Sequence, residues 1–196
     1  MMVFIKTLLC KVVYRKNIIA HPQFKIKGIK NIYSQGILSV GLSYNGTDYP
    51  RDKTFLNIEG EFNIKSDYSI GRGCRFHIGI NASISIGNGG YLNSKCNLII
   101  MHKLTIGDNC IIAWNCQFLD EDFHHINYEE KKEIDNAIYI GNKVWIGCGV
   151  SVFKGSYIPN GCVVAANSII INKFKEENCL RGRNPARILK RNINWT

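Results

Sequence analysis

The sequence predicts an all-β chain wound as a left-handed parallel β-helix, and two observations carry this. Between positions 140 and 170 an aliphatic residue falls at every sixth place: Ile140, Ile146, Val152, Ile158, Val164 and Ile170. Gly141 and Gly147 directly follow two of these markers, and a small or apolar residue stands four places after them, at Val144, Val150, Ser156, Cys162 and Ser168. Helices repeat at about 3.6 residues and flat strands at about 2, so neither yields this period. One short strand plus one turn per unit, stacked as a solenoid, does yield it. Three units close a triangular coil of roughly 18 residues, and coils stack at roughly 4.8 Å.

The elements follow in order. Residues 1–17 are apolar but interrupted by Lys6 and Lys11, with no small-residue cleavage site. They predict a helix that caps the solenoid end; a basic amphipathic helix lying on a membrane surface is the alternative. Across 18–57, Ile26, Ile29, Ile32, Ile37 and Val40 suggest short strands of an irregular first coil. Residues 1–57 are therefore read as cap and irregular coil, 58–172 as the β-helix, and 173–196 as a tail. Within the β-helix, Ile58, Ile64 and Ile70 are evenly spaced. The register slips between Phe76 and Ile80 and resumes at Ile80, Ile86, Leu92 and Leu98. It slips by two at Ile100 and continues at Ile106, Ile112 and Phe118. Residues 119–137 are polar, charged and aromatic, and the period restarts at Ile140. An insertion between intact repeats must leave the wall as an extruded loop, and such loops on rigid scaffolds carry function. The tail holds Pro185 and predicts a short helix over 186–192.

A chain of 196 residues is one domain with room for a continuous core. No apolar run reaches the roughly 20 residues that span a bilayer. Of eight cysteines, Cys74, Cys96, Cys110, Cys116 and Cys162 fall four places after a marker, in the small interior slot. They read as reduced, core-filling thiols of a cytoplasmic protein, and no His or Cys spacing matches a metal-ligand pattern. The net charge of +10 is uneven. The first 47 residues hold seven Lys/Arg and no acid, and residues 173–191 hold seven Lys/Arg against Glu176 and Glu177. No nucleic-acid motif accompanies this charge. The basic tail reads as meeting phosphates of a cofactor, and the basic N-terminus as facing an acidic polymer, lipid headgroups at the inner face of a membrane, or simply water.

The loop opens Asp120-Glu-Asp-Phe-His124. Histidine takes a proton from a hydroxyl near neutral pH better than any other side chain. His124 stands six residues after Phe118, where chain leaves wall, so it can face a groove between neighbouring subunits. Asp122, or a backbone carbonyl, is the candidate to fix its tautomer. His125 is adjacent and would point elsewhere on an extended chain.

The D-x-D-x-H loop, Ile140-Gly-Asn-Lys-Val-Trp-Ile-Gly147, and Gly182-Arg-Asn-Pro-Ala-Arg187 together resemble the hexapeptide-repeat O-acetyltransferases of sugars. The pattern is similar to galactoside and maltose acetyltransferases and, most of all, to the polysialic-acid capsule O-acetyltransferases, over roughly residues 80–195. The resemblance implies a homotrimer that binds acetyl-coenzyme A between adjacent solenoids and acetylates a sugar or polysaccharide. It implies His124 as general base, Trp145 bordering the active site, and a Cys148 backbone N–H near the thioester carbonyl. Ala166 would let the pantetheine arm approach. Asn172, Lys173, Arg187 and Lys190 would meet the far end and phosphates of the cofactor. An Asn that holds the acceptor in galactoside-type enzymes aligns with Lys95, beside Asn93 and Asn97. A lysine there suits an anionic sugar better than a simple galactoside. Amine or xenobiotic N-acetylation on the same fold, metal-dependent carbonic anhydrase chemistry, and a non-enzymatic binding solenoid remain the alternatives.

Overall fold

The computed structural model describes residues 2–42, 46, 48–124, 129 and 135–196, with residues 2–4 described by backbone alone. It is a left-handed parallel β-helix: successive strands are dealt in turn to three sheets. The first face contains Ile18–Ala20, Leu38–Val40, Tyr68–Ile70, Tyr91–Leu92, Ile111–Ile112, Trp145–Ile146 and Val163–Val164. The second contains Phe24–Lys27, Thr54–Ile58, Arg75–Ile78, Asn97–Ile100, Gln117–Leu119, Ser151–Phe153 and Ile169–Ile170. The third contains Ile32–Ser34, Glu61–Ile64, Ser83–Ile86, Lys103–Ile106, Ile138–Ile140 and Tyr157–Ile158.

All six markers from Ile140 to Ile170 are buried, and they stack as three pairs, one coil apart. Ile140 pairs with Ile158, and Ile146 with Val164, 18 residues on. Longer strands explain the two slips in register. In Arg75–Ile78 and Asn97–Ile100 the second and fourth residues both point inward, so Phe76 and Ile78, then Leu98 and Ile100, are core. This corrects one marker: Ile80 stands on the turn and is 74% exposed, and Ile78 takes the interior place.

The wall begins at Ile18, which pairs with Leu38, well before the boundary at 58. Ile29, Ile32 and Val40 are core there, whereas Ile37 is exposed. The helix Met2–Val12 caps this first coil. The Ala20 N–H donates to Thr7 Oγ1 at 3.3 Å, the Lys6 ammonium donates to the Phe24 carbonyl, and Cys10 is buried. Among the described residues no helix is long and apolar enough to cross a membrane.

At the other end the expected helix over 186–192 is instead the strand Arg187–Lys190, antiparallel to Leu180–Gly182, which itself continues the first face. The last coil leaves an open row of backbone donors and acceptors. Pairing with that row outweighs the weak helical tendency of a segment too short to nucleate.

Two segments leave the wall. Ile106 pairs with Ile140, 34 residues on. The excess emerges after Gln117–Leu119 and returns at Ile138–Ile140, at the corner between second and third faces. The other excursion, residues 41–53, was not legible in the repeat. It leaves the corner between first and second faces, where Asp48 Oδ2 accepts the Ser94 hydroxyl at 2.6 Å.

All eight cysteines are free, and the five expected in the interior slot are buried. Burial pushes the Cys110 thiol up to about 11. Cys148 alone is half-exposed. Titration of the native chain with a thiol reagent should therefore show one fast-reacting cysteine, lost in Cys148→Ser, and all eight only after unfolding.

Candidate active site

Outward residues at equal places on the first face form a ladder, Tyr91, Ile111, Trp145 and Val163. With the corner residues Ala113, Trp114, Cys148 and Ala166 they line a groove of about 610 Å³. No lining side chain is charged. The far wall is Trp195, whose ring lies 6.2 Å from Trp145, tilted by 50°. Its indole N–H donates to the Lys143 carbonyl at 3.1 Å, and the Lys143 ammonium sits 5.9 Å over its ring.

Close stacking of the corner turns shapes the groove floor. A Cβ on Gly147 would lie 2.7 Å from the Ala166 backbone nitrogen, so only glycine lets the two turns meet. Along the same corner Lys95, Asn115, Gly149 and Asn167 all take left-handed backbone, at φ 60°, 61°, 69° and 57°. The Cys148 carbonyl accepts the Asn167 N–H at 2.9 Å. Among the described residues the Cys148 N–H donates to no acceptor.

The extruded loop begins at a fixed point. Asp120 is fully buried, and its carboxylate accepts three backbone N–H groups, from Met101 at 2.6 Å and from His102 and Lys103 at 2.9 Å each. Burial raises its pKa, and these three donors oppose the rise. Glu121 binds His102 Nε2 at 2.8 Å, which holds the Glu121 carboxyl below its ordinary range. Asp122 does not turn to His124. Its carboxylate pairs with Lys154 at 2.6 Å, so the orienting role expected of Asp122 is not made within this chain. Phe123 takes left-handed backbone at φ 62°, and His124 follows it, exposed. His125 lies outside the described residues.

Trp145, Cys148 and Ala166 thus share one groove, while His124 stands at another corner. Five residues, including the strand Ser151–Phe153, lie between Cys148 and Lys154, and His124 is tethered two residues from the partner of Lys154. His124 is not among the residues that line the groove. Asn172 and Lys173 lie at the corner of His124, where Lys173 bridges Tyr157 of the third face. Arg187 and Lys190 are exposed on the strand that prolongs the first face beyond the groove. Lys95 stands at the groove corner, two coils from Cys148, with its ammonium 3.7 Å from Asp52. The second excursion therefore already supplies it with an anion. Asn97 faces a different shallow cavity, on the second face, with Arg75 and Gln117. Lys154 was missed by sequence reasoning, as were the roles of Asp120 and Trp195, although Asp120 is the first acid of the D-x-D-x-H run and directly follows the strand Gln117–Leu119. Among the described residues no group of three or more His, Cys, Asp or Glu side chains is placed to hold a metal ion.

No protein-family model matches the chain. A 24.8 kDa protein in the cps region of Klebsiella pneumoniae, itself uncharacterized, is 38% identical over 98% of this chain and 87% of its own length. The polysialic acid O-acetyltransferase of Escherichia coli O1:K1 / APEC is 34% identical over 72% of this chain, which spans 44% of that enzyme. Among solved structures, the polySia-specific acetyltransferase NeuO superposes with a TM-score of 0.62 at 21% identity, covering 92% of this chain and 76% of that one, a likeness of fold. A hexapeptide-repeat acetyltransferase of Vibrio cholerae complexed with acetyl-coenzyme A is 29% identical, with a TM-score of 0.53, over 63% of this chain and 67% of that one.

Asp120→Ala leaves three buried N–H groups without an acceptor, a loss of about 1–3 kcal/mol. Thermal unfolding should show the loss as a fall of several degrees, and protease cleavage within residues 121–137 should become faster. Unchanged melting and cleavage would mean that Asp120 does not anchor the loop.

Proposed function

The chain belongs to the hexapeptide-repeat O-acetyltransferase family, and on that premise we propose that it transfers an acetyl group from acetyl-coenzyme A to a hydroxyl of a capsular or other surface polysaccharide, or of its precursor. The observation that carries this is the groove: an uncharged, aromatic-walled trough of about 610 Å³ beside an unused backbone N–H at Cys148. Its lining suits an apolar thioester arm. The relative complexed with acetyl-coenzyme A and the relative named as a polysialic acid O-acetyltransferase support the donor and the acceptor class.

The separation of His124 from the groove supports a site shared by two copies in a homotrimer. One copy offers Trp145, Cys148 and Ala166. The next offers the corner that carries His124, Asn172 and Lys173. His124 accepts the proton of the acceptor hydroxyl as that oxygen attacks the acetyl carbonyl. The Cys148 N–H donates to the carbonyl oxygen as it gains charge. The carbon–sulfur bond breaks, and the imidazolium returns its proton to the departing thiolate. Arg187 and Lys190, on the strand beyond the groove, meet the phosphate end. Asp122 holds the loop base through Lys154 rather than orienting the ring. Asn97 and Lys95 lie outside the groove on the side of the second excursion, where a long acceptor would pass.

His124→Ala should lower turnover by about 10²–10⁴-fold while acetyl-coenzyme A still slows modification of Cys148. Near-normal turnover would exclude His124 as the base. Refolding an equal mixture of His124→Ala and Trp145→Ala chains tests the shared site. Two inactive variants should recover up to about a quarter of wild-type activity if base and groove come from different copies. No recovery is expected if they come from one.

A further inference from the structure

The N-terminal helix is built inside out for a cap in water. Along Met2–Val12 the side turned to the solenoid carries Lys6, Thr7 and the buried Cys10. The side turned away carries Ile5, Leu8, Leu9 and Val12, exposed by 60%, 48%, 48% and 66%. These four stand at i, i+3, i+4 and i+7, a single apolar stripe at helical spacing. Val13 and Tyr14, also exposed, extend it past the helix end. A cap whose only task is to close the core would place this stripe inward, because such burial is the main stabilising term available to it.

A second feature adjoins the stripe. Arg15, Lys16 and Lys65 line a cavity of about 440 Å³ that starts where the helix ends, with Tyr33 in its wall. Lys16 is fixed there: it donates to the carbonyls of Lys30 at 3.1 Å and Ile32 at 2.6 Å, and lies 5.1 Å over the Tyr33 ring. The charge lining the cavity has one sign: Arg15, Lys16 and Lys65 stand there with no Asp or Glu, and the first 47 residues, helix included, contain seven Lys/Arg and no acid, while Glu61 and Asp67 belong to the next coil.

We propose that the outer stripe of this helix and the basic cavity behind it form a docking surface for an anionic phospholipid membrane. The stripe enters the boundary between headgroups and acyl chains, and the cavity takes a lipid phosphate. Charge decides between this occupant and a second copy of the chain. A second copy would bring the same acid-free helix and cavity lining against itself, like charge on like, whereas an anionic bilayer supplies the missing sign. Neither element is used in the proposed acetyl transfer, so this inference stands or falls separately from that reading.

The test is sedimentation of the full chain with vesicles of phosphatidylcholine alone and of phosphatidylcholine mixed with phosphatidylglycerol. Binding should be at least about tenfold stronger to the mixed vesicles and should weaken as salt is raised. Leu8→Glu/Leu9→Glu should abolish it. Arg15→Glu/Lys65→Glu should remove the preference for phosphatidylglycerol, with melting temperature and acetyl-coenzyme A binding unchanged in both. Absence of binding to mixed vesicles, or equal binding to both kinds, would overturn the proposal. So would a chain that self-associates in solution and loses that association in Leu8→Glu/Leu9→Glu, because the stripe would then belong to a second copy.

Discussion

Coil-on-coil register governs this molecule. Each turn lies close against the turn below, so close that a Cβ on Gly147 would come within 2.7 Å of the next turn's backbone, and inward side chains stack on their equivalents one coil on. A coil therefore cannot absorb extra residues within its wall. One extra pair per strand is tolerated where a four-residue strand buries two side chains, as in Arg75–Ile78. Anything longer has to be expelled at a corner. The same register gathers residues far apart in sequence: Tyr91, Ile111, Trp145 and Val163 become one wall because each occupies the same outward place on the first face.

Expulsion alone does not aim a loop. That task falls to Asp120, whose burial would be unfavourable without partners and is balanced by three converging backbone N–H groups. The pairs around it are weaker. Asp122 with Lys154 is half-exposed and screened, the class of contact that contributes about 0–1 kcal/mol. The direction in which residues 121–124 set out is thus fixed at Asp120, and the neighbouring charges refine it.

The β-helix was legible from position 58 onward because inward aliphatic residues recur with little noise, and the extruded loop was legible as the place where that recurrence stops. Other features were hidden for identifiable reasons. The coils from Ile18 do keep a six-residue count, Ala20, Ile26, Ile32 and Leu38, but Ile29 and Ile37 fall off it and the excursion over 41–53 breaks it before Leu56, so the count was overlooked. The tail strand Arg187–Lys190 exists only because an open sheet edge lies beside it, which is tertiary information. Ile80 matched the spacing and still faces solvent, since a two-residue strand extension moved the interior place to Ile78. At the site, Trp145, Cys148 and Ala166 could be grouped from the repeat, because equal offsets mean one corner. The pairing of Asp122 with Lys154 could not, because it joins the loop to a coil 32 residues later.

One face of the prism changes character along its length. In the groove beside Trp145 its lining is aromatic and holds no charged side chain; beyond Val163–Val164 it continues into Leu180–Gly182 and then into the strand bearing Arg187 and Lys190. On the proposed function, a ligand with an apolar arm and a polyphosphate end would follow this gradient with its phosphates toward the tail and its reactive tip toward Cys148. The tip would then lie on the side where Asp48 is held to Ser94 and Asp52 to Lys95. A lysine that already faces Asp52 is a poor primary site for an anionic sugar. It is better suited to fixing the second excursion beside the groove. On the proposed function, acceptor choice would then rest on something other than the charge of Lys95.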